Sequence, residues 1–501
     1  MSIKKLYLIV FITGAVIMIM ELVGSRILAP VLGTSIFIWT SLIGVVLGSM
    51  SVGYYLGGRI ADKNPSVKNL SAIIFISGLS MFAIIIIKDS VLAFSLLFGV
   101  KNGAIVAAVI LFALPSVMLG MVSPYAVRMA VKHVESSGST VGNLYAVSTF
   151  GSIVGTFLAG FYLIPNIGST NMLYGLSITL FVVSLISFYE KKIFMKMSFC
   201  FVLFFAIALI SNATDSNRYI ASEDSAYNHI AVYDMKYSDG KDIRVMAVEN
   251  FFDSGMYLNS DELVFEYTKY YRLDNLFKEK IDKVVMFGGA AYSVPKDFIK
   301  RNKHGVIDIV EIDPRTTELA EKYFNLDLKN DRINIFHEDA RIFINRNIIE
   351  NKNKYDAIYN DAFSSSCSVP FHLTTKEVMN KIYDMLKLDG VYIANIVSSL
   401  DGEKSMFFRS EYKTIKEVFT DVYVFPVVSL DKSKLENTQN IIIIAVKEGL
   451  DIEEVLKKEV SENEKEMLDH LWLDPINTDD VNILTDDYAP VNYYASKSCI
   501  F

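Results

Sequence analysis

Cysteine is scarce in this chain: Cys200, Cys367 and Cys499 are spread through 501 residues at no paired or metal-ligand spacing. That argues against a disulfide framework and against a cysteine zinc site. Excess positive charge is also missing. With a formal net charge of −8 and no basic patch to hold a polyanion, a nucleic-acid partner is disfavoured. The third scarcity is local: from Leu6 to about Ser211 charges are few, and from Asn212 onward the long apolar runs stop.

What is present divides accordingly. A mean hydropathy of +0.33 with 52% hydrophobic residues is too apolar for a wholly soluble protein. Apolar runs occupy Leu6–Leu22, Ile36–Leu56, Leu70–Ile87, Ala104–Val127, Tyr145–Ile164, Met172–Tyr189 and Met197–Ile210. Each approaches the roughly 20 residues that cross a bilayer, so residues 1–211 are expected to form a multi-pass helical membrane domain of about seven spans. Glu21, Arg26 and the later spans mark the first run as a retained helix and not a cleaved signal. Gly44, Gly48 and Gly53, then Gly151 and Gly155, predict close helix packing, within one bundle or in a homo-oligomer. Pro115 inside an apolar run predicts a kink.

Positive charge gathers at Lys4 and Lys5, at Arg59, Lys63 and Lys68, at Arg128 and Lys132, and at Lys191, Lys192 and Lys196. Alternate loops marked in this way are expected on the cytoplasmic side of the cell membrane. Seven spans would then leave the C-terminal half outside, whereas a cytosolic supply of nucleosides favours the inside. An eighth crossing at Val91–Val100 would reconcile the two, and on that ground a cytoplasmic soluble domain is expected.

In that half, the stretch Val284–Pro314 carries a strand, Gly288 and Gly289, a helix, a second strand and Glu311. A carboxylate some 20 residues past a glycine turn is where a doubly wound sheet places the acceptor for a ribose hydroxyl. Strands are expected at Lys283–Phe287, Val306–Ile312, Ile333–His337, Tyr355–Asn360, Val391–Ile396, Val422–Val427 and Ile441–Val446, with helices between most of them. The fold class is therefore a Rossmann-like, class I methyltransferase-like α/β sheet, read as wholly parallel, over residues 276–501. A small β-rich lobe is expected over 221–275, with strands at Ala226–Asp234 and Ile243–Glu249 and a helix at Asp261–Arg272. Polar residues recur at the strand ends: Gly288 and Gly289, then Glu311 and Asp313, Asp339 with Ala340, and Asp361. For Asp339 helix capping, and for Asp361 turn formation, is the alternative to a role in the crevice.

The motifs GSRILAP and GYYLGGRIAD, then SAYNHIAVYD, FGGAAYS, VEIDP, HEDAR, YDAIYNDAF and LTDDYAPVNYY, together resemble the membrane-fused branch of the spermidine synthase family. The resemblance implies that Gly288, Gly289 and Glu311 hold an adenosine, that Asp339 reaches the adenine amine, and that Asp361 is the catalytic aspartate. Ala340 and Tyr292 are expected as further contacts. The implied substrate is S-adenosylmethionine or its decarboxylated form, with methylthioadenosine leaving. No other cofactor and no metal is expected, because the sulfonium is already a good leaving group and alignment is the main requirement.

Three positions depart from the family pattern. Ala291 stands where an aspartate would bind the amine of the aminopropyl arm, Phe265, Glu266 and Tyr267 replace a tyrosine-histidine-glutamate stretch, and Ser364 replaces an acceptor-binding aspartate. Transfer of the aminopropyl group to a polyamine is the family default. The substitutions favour a substrate that keeps its carboxylate, and cyclisation to homoserine lactone or another acceptor. A methyltransferase, and a transporter or sensor regulated by a nucleoside or polyamine, remain as alternatives.

Overall fold

A computed structural model of the chain describes residues 1–131, 137–188, 190–216, 219–249, 251–260, 262–347, 352–362, 369–431, 434–450 and 452–498. Lys132, Tyr189, Asp261, Ser364, Cys367 and Cys499 lie outside them. Two compact units follow one another, Met1–His229 and Ile230–Phe501.

In the first unit the apolar runs become long helices, which satisfy their own backbone groups. They are α1 (Ile3–Leu32), α2 (Ile36–Lys63), α3 (Val67–Ser95), α4 (Gly99–Ala130), α5 (Ser137–Leu158, prolonged by a π-helical turn), α6 (Ser169–Ser187) and α7 (Lys191–Ser216). Six segments among the described residues are long and apolar enough to cross a membrane. One of these, Val67–Ala130, is the hairpin of α3 and α4, so it contributes two helices. Val91–Val100, the expected eighth crossing, only closes that hairpin. Its residues end α3, turn through Leu96–Phe98 and Gly99 at φ 70°, and begin α4, while Ser77 on α3 donates to the Pro115 carbonyl on α4 at 3.4 Å.

Glycines let these helices touch. A Cβ on Gly151 or Gly155 would strike the backbone of Phe11 or Ala15 on α1, and one on Gly53 or Gly57 would strike Val117 or Met121 on α4. Gly44 and Gly48, expected to pack in the same way, have nothing within 4 Å among the described residues.

The second unit begins with β2 (His229–Lys236), β3 (Asp242–Val248) and β4 (Phe251–Tyr257), paired antiparallel, after a short β1 (Ala221–Asp224) that closes the first unit. The helix expected over Asp261–Arg272 is broken into an α-turn at Glu266–Lys269, a 3₁₀ turn at Tyr270–Leu273 and another α-turn at Asp274–Phe277.

The main sheet holds β5 (Lys283–Phe287), β6 (Val306–Val310), β7 (Ile333–Phe336), β8 (Tyr355–Asn360), β9 (Leu386–Ser398), β10 (Asp421–Pro426) and β11 (Gln439–Val446), in the order β10-β11-β9-β8-β5-β6-β7. β5 to β9 are parallel, as expected, but β11 runs antiparallel to both its neighbours. Among the described residues between β10 and β11 there is no crossover α-helix, and the chain returns alongside itself in the opposite direction. Helices α8 (Ser293–Arg301), α9 (Pro314–Tyr323), α10 (Ala340–Asn347), α11 (Lys376–Met385) and α12 (Met406–Lys416) accompany the strands. Strand order reverses between β5 and β8, and it is at the carboxyl ends of strands at such a switch that doubly wound sheets bind ligands.

Candidate functional site

The loop after β5 turns through Gly288 at φ 88°, Ala290 at φ 44° and Tyr292 at φ 58°. Such backbone is easiest for glycine, and Gly288 has a second constraint: a Cβ there would lie 2.5 Å from the Asp361 carbonyl oxygen. The glycine turn therefore lets β5 and β8 end side by side. Gly289 is similarly occupied, since its missing Cβ leaves room for the Tyr292 ring. Tyr292, expected as a contact in the crevice, is fully buried instead, with its hydroxyl 2.6 Å from Thr317 Oγ1. Its phenol therefore braces the loop.

Glu311, just past β6, folds back onto that loop. Its Oε2 accepts from the backbone N–H of Gly289 at 2.8 Å and of Ala290 at 3.3 Å, and its Oε1 accepts from Asp313 N–H at 2.9 Å. Burial raises its carboxyl above the ordinary range, while the three amides oppose the rise. Asp313 next to it caps α9, accepting from Arg315 N–H at 3.0 Å ahead of Pro314 in the first turn.

Asp339 does the corresponding work at α10. Its Oδ1 accepts from the backbone N–H groups of Arg341 and Ile342 at 2.8 and 3.1 Å, and its Oδ2 lies 3.0 Å from His372 Nε2. The His372 hydrogen bond, ahead of the two amides, holds this carboxyl below its ordinary value. Ala340, the next residue, is buried in the core beside Phe343. Arg341 reaches Asp486 of the terminal LTDDYAP stretch, with Nη2 and Oδ2 2.6 Å apart, so that motif is pinned to the start of α10.

Asp361 follows β8 and is partly exposed. Its Oδ1 accepts from Asn395 Nδ2 at 2.9 Å, Asn395 Oδ1 in turn accepts from Asn440 Nδ2 at 3.0 Å, and the Tyr267 side chain supplies a second hydrogen bond. Enclosure by protein raises the Asp361 carboxyl to about 6, against the pull of both donors. Gly288, Gly289, Glu311 and Asp361 are thus brought together around β5, with Asp339 at the end of the strand two places away.

Sequence reasoning did not assign Tyr267 or Asn395 to Asp361. Tyr267 falls in the broken helix before the sheet, and only the placement of β9 beside β8 brings Asn395 to a residue 34 positions earlier. A polar Asn in the apolar strand YIANIV was the available signal.

Residues 273–462 match the family model described as the spermine/spermidine synthase domain. A polyamine aminopropyltransferase of Vibrio vulnificus is 30% identical over 165 residues, which are 33% of this chain and 52% of that protein. Polyamine aminopropyltransferase 2 of Aquifex aeolicus is 22% identical over 441 residues, 84% of each. The crystal structure of a probable spermidine synthase from Corynebacterium glutamicum overlays at TM-score 0.40 and 21% identity, over 46% of this chain and 81% of that one. The chain spans about half the length of the Vibrio relative. On the domain match and these relatives, the C-terminal unit is similar to the spermidine synthase family, and the N-terminal helical region fits a fused branch of that family.

Proposed function

We propose that the protein is a membrane-bound, spermidine synthase-like enzyme that cleaves a carbon–sulfur bond of S-adenosylmethionine or its decarboxylated form and releases methylthioadenosine. The observation that carries this reading is Asp361, a carboxylate raised to about 6 by enclosure, held by two side-chain donors at the switch in strand order. A group with that proton affinity is suited to accept a proton near neutral pH.

The nucleoside half would be held by Glu311 and Asp339. A carboxylate offers about four acceptor sites, of which the loop amides use three at Glu311, so one remains for a ribose hydroxyl. At Asp339, Oδ2 meets only His372 among the hydrogen bonds described, leaving an acceptor for the adenine amine. In the transfer reaction, an amine nitrogen forms a bond to the carbon beside the sulfonium, the carbon–sulfur pair leaves on sulfur, and the amine proton passes to Asp361. The six membrane-length segments support attachment to a bilayer, the expected lipid partner.

The acceptor is a finer question. Ala291, where the resemblance places an aspartate for the aminopropyl amine, is fully buried and apolar. Without that negative charge, a substrate retaining its carboxylate is repelled less. This favours intact S-adenosylmethionine, whose own carboxylate oxygen attacks the γ-carbon to give homoserine lactone and methylthioadenosine with no proton transferred. Asp361 then holds the α-ammonium group.

The test is product identification by mass spectrometry on purified protein given S-adenosylmethionine alone, or decarboxylated S-adenosylmethionine with putrescine. Methylthioadenosine in the first tube supports cyclisation, and methylthioadenosine only in the second supports transfer. S-adenosylhomocysteine would show a methyltransferase, and no product in either tube would remove the enzymatic reading.

A further inference from the structure

We propose that residues 230–501 lie on the side of the membrane opposite the basic loops, which places the soluble unit outside the cytoplasm. The helical unit alone carries this placement, whichever reaction the C-terminal unit performs.

Side-chain register sets the direction of each helix. α5 runs parallel to α1, because Gly151 lies on Phe11 and Gly155 on Ala15. α4 runs parallel to α2, with Gly53 on Val117 and Gly57 on Met121. α6 opposes α3, since the Ser71 and Ser184 hydroxyls are 2.9 Å apart and Gly78 lies against Ser177. α7 opposes α6: Phe201 stacks on Phe181 at 4.1 Å between centroids, and Phe205 meets Tyr174 at 5.6 Å.

The bundle therefore has two distinct ends. At one, Tyr125 near the end of α4 bonds Asn64 and Ser66 between α2 and α3, and Arg128 pairs with Asp62 at 3.1 Å. This end also starts α1 and α7, so it collects the basic residues at the start of α1, around the α2–α3 loop, at the end of α4 and at the start of α7. At the other end α3 turns into α4, with Lys88 beside Asp89 and Lys101 over the Phe37 ring. The positive-inside rule makes the first end cytoplasmic.

The segment after α7 is tied to the second end twice. Asp224 accepts from the backbone N–H of Ser169, at the start of α6, at 2.6 Å, and Arg26, near the end of α1, donates to the carbonyls of Ala226 and Tyr227. α7 has 26 residues and is about 39 Å long, enough to cross the hydrocarbon core. Tyr219 is three residues past its end, a span of at most about 11 Å, too little for a return crossing. With Val91–Val100 used up in the hairpin, no further crossing among the described residues restores the cytoplasmic side. A nucleoside substrate of this unit would then have to be supplied on the outer side, by an export step or from the surroundings.

The test is cysteine accessibility in intact cells. In the full chain with Cys200, Cys367 and Cys499 replaced by serine, Lys280→Cys and Lys457→Cys are made separately at side chains 81% and 75% exposed, with Lys68→Cys for the basic end. A membrane-impermeant maleimide is expected to label both soluble-unit cysteines before permeabilisation, and Lys68→Cys only after it. Labelling of Lys280→Cys and Lys457→Cys only after permeabilisation, or of Lys68→Cys before it, would overturn the proposal.

Discussion

Two carboxylates end the strands on either side of β5, and they are held in opposite ways. Glu311 is gripped by three backbone amides, whereas Asp361 is gripped by the side chains of Asn395 and Tyr267. Burial raises both, yet the consequences differ. Backbone donors cannot rotate away, so Glu311 is a fixed acceptor suited to hold a ribose. Side-chain donors can be shifted or removed, so Asp361 is the carboxylate whose protonation the rest of the site controls.

Asp361→Asn breaks this comparison most severely. It is expected to lower methylthioadenosine formation by about 10²- to 10⁴-fold under the transfer mechanism, in a turnover assay, while leaving the fold intact by circular dichroism. For the wild type, transfer should accelerate as the pH rises through about 6, because only the ionised carboxylate takes the amine proton. The cyclisation reaction also needs that carboxylate charged, to hold the ammonium, so its rate should rise in the same window.

On the other side, Glu311→Gln sets an amide N–H against the loop amides. Methylthioadenosine affinity measured by calorimetry should fall about tenfold to a hundredfold, in line with about 1.5–3 kcal/mol for a hydrogen bond to a charged group. The turnover of bound substrate should change less than the affinity.

Asn395→Leu sharpens the distinction between the two grips. Losing a donor that stabilises the charged form raises the Asp361 carboxyl further, so the midpoint of the pH–rate profile should move upward and most activity should return at alkaline pH. A uniform loss across pH would mean that Asn395 only supports the fold. Tyr267→Phe should shift the profile in the same direction.

His372→Ala gives the smallest effect. The folded Asp339 carboxyl is held below its ordinary 3.8, so its contribution to stability is present above that pH and is lost as the pH falls through the folded value. A thermal melt should show a decrease worth less than about 1 kcal/mol near neutral pH, shrinking in acid.

Where these residues stand in the fold was readable from sequence because it depends on local patterns. Lys283–Phe287 and Tyr355–Asn360 are bounded in the structure as the apolar runs indicate, and the glycines and carboxylates stand at the strand ends. The seven apolar runs likewise became helices, since a run of that length has few alternatives. What was not readable needed tertiary information. The reversed direction of β11 follows from the way the chain returns after β10, and the hairpin role of Val91–Val100 follows from packing of α3 on α4. Tyr292 looked like a ligand contact because its position in the loop was visible, but the Thr317 hydroxyl that holds it inside was not.

The most direct test of the account separates binding from turnover in Asp361→Asn. Methylthioadenosine affinity is measured by calorimetry, and product formation from both substrate mixtures by mass spectrometry. Affinity close to that of the wild type, with product formation lost, is the predicted result. Retained product formation, or a loss of affinity as large as the loss of turnover, would contradict a crevice divided between a nucleoside-holding Glu311 and a reacting Asp361.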